Sequence, residues 1–150
     1  MIEIYQSVIH HLFYSPDTHL FKEVFTEKSR MMDWPQYREE LSRTTEYLNK
    51  YRPSLLLVDA RKFDFVILKD MQRWIQDNVI SVLKDIGVQK WAVISTPQFI
   101  SQVSIEQTIE GKRENNFQAQ YFDSEEEAMN WLLNNKGGIA FRVSRFAFLS

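Results

Sequence analysis

Leu55-Leu56-Leu57-Val58 is a run of four consecutive apolar residues that passes directly into Asp59-Ala60-Arg61, near the middle of the chain. A strand with one wet face alternates apolar and polar residues; an uninterrupted run means that both faces are covered. Such a strand belongs inside a sheet that carries helices, which points to the α/β class. Its polar end then lies at the edge where open parallel sheets hold their ligands.

The residues on either side fit that frame. Positions 2–14, rich in Ile, Val, Phe and Tyr, read as one strand. Ser15-Pro16-Asp17-Thr18 reads as a turn, and roughly His19 to Thr26 as a second strand. So short a link allows only an antiparallel hairpin. A helix starts near Asp33, where Asp33 and Gln36 have capping-box spacing and Pro35 occupies the first turn. Trp34, Tyr37, Leu41, Leu48 and Tyr51 recur at helical spacing, and Pro53 ends the helix by Tyr51. After the central strand Ser54–Ala60, one apolar stripe runs from Leu68 through Met71, Trp74, Ile75, Val79, Val82 and Leu83 to Ile86, with Gly87 as its stop.

Lys90–Ile94 is the next strand. Ser95 or Thr96 then caps a helix with Pro97 in its first turn, and Glu110–Asn116 reads as a loop. Phe117–Phe122 is the last strand of the pattern. A final helix opens at Asp123 or Ser124 and is expected to end at Gly137-Gly138. The resulting order, β-β-α-β-α-β-α-β-α, predicts an α/β fold: an αβ sandwich with a mixed, mainly parallel sheet, an N-terminal antiparallel hairpin and helices on the sheet faces. All 150 residues form one expected domain, with 138–150 as an apolar tail that is either an extra strand or a docking segment.

Composition excludes several functions. The net charge is −2 with no basic block, so a nucleic-acid partner is not expected. With no cysteine there is no disulfide, thiolate metal site or cysteine nucleophile. No apolar run reaches membrane-spanning length, and the N-terminus has no signal-peptide core; the expectation is a cytoplasmic protein. Four glycines leave little room for a phosphate loop, and no G-x-S-x-G elbow occurs. No cofactor is implied. His10 and His11 are adjacent, so a strand points them to opposite faces and they cannot share a metal; His19 could face one of them across the hairpin, and no third ligand is evident. Glu39-Glu40 and Glu125–Glu127 read as solvated carboxylates near helix N-termini.

The carboxyl ends of the expected parallel strands supply the candidate site: Asp59, Arg61 and Lys62 after the central strand, Ser95 and Thr96 after the next, and Asp123-Ser124 after the last. Together they offer cations, hydroxyls and helix N-termini to a polar ligand or partner. The plainer reading is that Asp59 bonds the following backbone turn and that the hydroxyls are caps. Trp34, Trp74, Trp91 and Trp131 read mainly as core. The rival is an apolar, lipid-like pocket between the sheet and the helix bearing Trp74; Phe141, Phe146 and Phe148 of the tail either close such a pocket or form a homodimer contact through an exposed apolar strip.

In sequence order, the Leu55–Arg61 strand ending in Asp, the long helix with Trp74, the strand Lys90-Trp91-Ala92-Val93-Ile94 and the block Tyr121-Phe122-Asp123-Ser124-Glu125-Glu126-Glu127-Ala128-Met129-Asn130-Trp131-Leu132 resemble the SpoIIAA-like (STAS/SEC14-type) domains of bacteria over about residues 1–135. The resemblance implies a small αβ sandwich that is non-enzymatic and acts in regulation, for example in anti-sigma-factor antagonism, in transporter modules or as a sensor. It also implies, through the SEC14-type relatives, a pocket for lipid-like molecules. Family antagonists switch by phosphorylation of a Ser after the central strand. Residues 59–70 here contain no Ser or Thr, so that switch does not carry over.

The expectation is therefore a non-catalytic regulatory or protein-interaction domain that meets a protein partner or itself, with Asp59, Arg61, Lys62, Ser95, Thr96 and Trp74 as contact residues. The alternative is a carrier or sensor of a small apolar ligand. A hydrolase or transferase built on Asp59 and Arg61 ranks third, because no nucleophile, base and orienting group assemble from these residues.

Overall fold

The computed structural model describes residues 1–96 and 117–134. It is an α/β fold with one six-stranded mixed sheet in the order β1-β2-β3-β4-β5-β6. β1 (Ile2–Gln6), β2 (His10–Ser15) and β3 (Leu20–Phe25) form an antiparallel meander. β3, β4 (Leu55–Asp59), β5 (Lys90–Ile94) and β6 (Gln118–Phe122) run parallel.

The expected single strand over 2–14 is two strands. Ser7 forms the turn between them: its N–H donates to the His10 carbonyl (2.9 Å), and its Oγ accepts from the N–H groups of Ile9 (3.1 Å) and His10 (3.3 Å). Ser-Val-Ile-His lacks the Gly, Pro or Asn that usually marks a turn, so a serine side chain does the same work unannounced. The register of β1 slips between Glu3 and Tyr5. That bulge sends Glu3 to His11 on one face and Tyr5 to His10 on the other, although their spacing alone would put both on the same face.

α1 (Trp34–Tyr51) begins at Asp33 with the reciprocal capping box to Gln36 and ends at Arg52, whose φ of +46° is left-handed. The second crossover is one helical stretch in three parts: α2 (Lys69–Ile75), a π-helical segment (Gln76–Ile80) and α3 (Ser81–Ile86), stopped by Gly87 at φ +85°. α4 (Glu125–Leu133) is capped by Ser124, whose Oγ accepts from the Glu127 N–H (3.2 Å). It ends at Leu133, short of the expected Gly137-Gly138, where Lys90 Nζ donates to the carbonyls of Trp131 (2.8 Å) and Asn134 (3.1 Å) and so caps its free C-terminal end. The helix expected from Pro97, the loop 110–116 and the tail lie outside the described residues.

Strand alternation divides the core. Phe21, Phe25, Leu56, Val58, Trp91 and Val93 face α1, α2 and α3 in the larger layer. Leu20, Leu57, Ala92 and Ile94 face Ala128 and Leu132 of α4 in the smaller one. Leu57 is completely buried, as the continuous apolar run requires of a strand covered on both sides.

Candidate functional site

Two charged clusters lie on opposite faces of this sheet. The first is at the carboxyl end of β4. Arg61 clamps Asp59 in a bidentate pair, Nε to Oδ1 at 2.9 Å and Nη2 to Oδ2 at 2.7 Å, and its backbone N–H donates to Oδ1 as well (3.1 Å). Burial works to raise the Asp59 pKa, but these bonds and the charges of Arg61 and Lys22 outweigh it and hold the carboxyl below its ordinary value. Lys22 on β3 donates to Glu125 Oε2 at 2.8 Å, and Glu125 Oε1 lies 3.9 Å from Arg61. Ser29 ties the turn down, donating to the Lys62 carbonyl (3.2 Å) and accepting from the Asp64 N–H (3.0 Å).

Asp59, Arg61 and Lys62 line one open groove of about 870 Å³, together with His11, Lys28 and Glu27. The other expected contact residues lie elsewhere. Ser95 is buried beyond the end of β5, its N–H bonded to the Phe122 carbonyl (3.1 Å). Thr96 is half-buried next to it. Trp74 packs edge-on against Trp34 at 5.7 Å, joining α2 to α1.

The second cluster was not legible as a site in the sequence. His10 is buried on the α1 face, with Nδ1 2.6 Å from Glu23 Oε2 and Nε2 3.0 Å from Glu40 Oε1. Tyr5 donates its hydroxyl to the same Glu40 oxygen at 3.0 Å. Burial lowers the His10 pKa, but the hydrogen bonds and charges of the two carboxylates more than reverse that, and the net displacement is upward. An acceptor oxygen at each ring nitrogen is satisfied when both nitrogens carry protons, so this geometry favours the imidazolium form. Glu40 is thus no solvated helix carboxylate, as its position beside Glu39 had suggested. His11 does point to the other face, where it meets Glu3 at 2.8 Å, and His19 pairs with the Tyr14 hydroxyl at 3.3 Å. Among the described residues no group of three or more His, Asp or Glu is arranged to hold a metal ion.

Glu23 also forms part of the wall of a cavity of about 80 Å³ between the sheet and the helices. Apart from Glu23, Thr44, the hydroxyls of Tyr37 and Tyr121 and the indole N–H of Trp91, the lining residues are apolar, and Trp74 has no part in it. The Tyr37 ring is buried, and burial together with the Glu23 charge raises the pKa of its hydroxyl far above the ordinary value. Phe25 lines both the cavity and the surface groove. Among the described residues no helix is long and apolar enough to cross a membrane. Comparison with protein-family models, with curated proteins and with solved structures returned no match.

Proposed function

We propose that this chain is a non-catalytic regulatory or protein-interaction domain of the SpoIIAA-like (STAS/SEC14-type) kind, and that it meets its partner through the groove at the carboxyl ends of β3 and β4. The supporting observation is the state of Asp59. Its carboxylate is occupied by three bonds from Arg61, so the turn offers a fixed pattern of charge and no free base. Lys28, Lys62 and Glu27 complete a face suited to polar docking. The stretch after β4 lacks a phosphorylatable hydroxyl, so docking here is not switched by a kinase at that place. A photo-crosslinking residue at Lys62 tests this in the native host, with one at Lys50 on α1 as control. Crosslinks confined to the Lys62 position, and lost with Arg61→Glu, support it. Equal labelling at both positions, with a monomer by light scattering, contradicts it.

The apolar cavity favours a second reading, a carrier or sensor of a small apolar molecule. At about 80 Å³ it is roughly half the ~150 Å³ of an engineered cavity that takes benzene, so it suits a compact molecule and not an acyl chain. Phe25 is the wall shared by the cavity and the groove. Extra mass in a native spectrum of freshly purified protein supports this reading. A bare spectrum with no melting shift across small apolar molecules argues against it.

A further inference from the structure

We infer that the cavity between the sheet and α1–α3 is a binding site for a small apolar molecule bearing one hydroxyl, which Tyr37 and Glu23 receive together. The inference rests on the sensor reading and gives it a chemical class.

Two polar groups at this cavity have bonding capacity left over. Glu23 commits Oε2 to His10, and its Oε1 has no hydrogen-bond partner among the described residues; the same holds for the Tyr37 hydroxyl. Both residues are largely buried and line the cavity, so a molecule inside it lies beside them. Their roles are complementary. Tyr37 remains protonated, because burial and the neighbouring Glu23 charge oppose its ionisation, so it donates. The free Glu23 oxygen accepts. A hydroxyl is the smallest group that accepts from the first while donating to the second and still carries an apolar body. An ammonium ion only donates, and a carboxylate would face the Glu23 charge. A water molecule would answer both groups but leave the rest of the cavity, walled by Phe25, Leu41, Leu56, Val58 and Ile75, without contacts. An apolar body on the hydroxyl fills that part.

The test uses the whole chain and follows the methyl resonances of Leu56, Val58 and Ile75 by NMR during titration. The probes are n-propanol and 1-chloropropane, which has a similar body and no hydroxyl. Propanol is expected to give saturable shifts at lower concentration than chloropropane. Tyr37→Phe, which removes only an unpaired oxygen and leaves the ring packed, is expected to weaken propanol roughly three- to tenfold and leave chloropropane unchanged. Equal affinity for the two probes, or no effect of Tyr37→Phe, overturns the hydroxyl assignment while the cavity remains a site. No saturable shift with either probe overturns the assignment and the sensor reading with it.

Discussion

Lys22 and Glu23 are neighbours on β3, yet they serve clusters that behave in opposite ways. Lys22 points to the α4 face and joins Glu125 and, through it, the Asp59–Arg61 pair. There two partners reach water: Arg61 is 46% and Glu125 41% exposed, while Asp59 between them is 12% exposed. Glu23 points to the α1 face and holds His10, which is 1% exposed. Solvent screens Arg61 and Glu125 and offsets part of any loss there; His10 and Glu23 have no water to replace a missing partner, and only the Glu40 end of their cluster, 17% exposed, borders an open groove. The same pair of charges, one sheet thickness apart, is therefore surface pattern on one side and a fixed structural wall on the other.

Removing a partner from each cluster is the most forceful way to break this contrast. His10→Ala leaves Glu23 and Glu40 facing each other without a cation, and should cost about 3 kcal/mol or more in urea unfolding. A loss under about 1 kcal/mol would mean that the buried cluster is no tighter than the surface one. The pH dependence sharpens the same point. The folded-state pKa of His10 stands above its unfolded value of about 6.5. Its contribution is therefore complete below that value and is lost as pH rises through the folded-state pKa. Urea midpoints should fall across that rise in the native chain and stay flatter in His10→Gln.

Smaller effects follow outward from the core. Tyr5→Phe deletes one hydrogen bond to Glu40 and should cost about 1 kcal/mol. Arg61→Ala on the other face should cost no more than about 1 kcal/mol, with the loss shrinking in high salt. Lys22→Gln should cost least, within about 0.5 kcal/mol, because Glu125 is solvated without it.

The sequence disclosed the surface cluster far better than the buried one, and the reason is physical. The turn Asp59-Ala60-Arg61 is local: both partners lie two residues apart at the end of a strand whose apolar run is unmistakable. Capping chemistry is local too, so Asp33, Gly87 and Ser124 stood out before any fold was known. The buried cluster joins residues 5, 10, 23 and 40 from three strands and a helix. Nothing near any one of them reports the other three. It also depends on two irregularities, the Ser7 turn and the bulge at Glu3–Tyr5, that plain alternation does not express. One signal was present: Glu23 sits in a strand between Phe21 and Phe25, on the face those two bury. A carboxylate on an apolar face needs a partner, and His10 lies at the matching end of the adjacent strand, opposite Phe25.

The most direct measurement is the protonation of His10 itself, read from the two ring-nitrogen resonances of the labelled protein between pH 6 and 8. An imidazolium held by Glu23 and Glu40 predicts that both nitrogens remain protonated through pH 7, above the point where a free histidine has lost its charge. One protonated and one bare nitrogen at pH 7 would contradict it, leaving a carboxylic acid, and not the ring, to carry the shared proton.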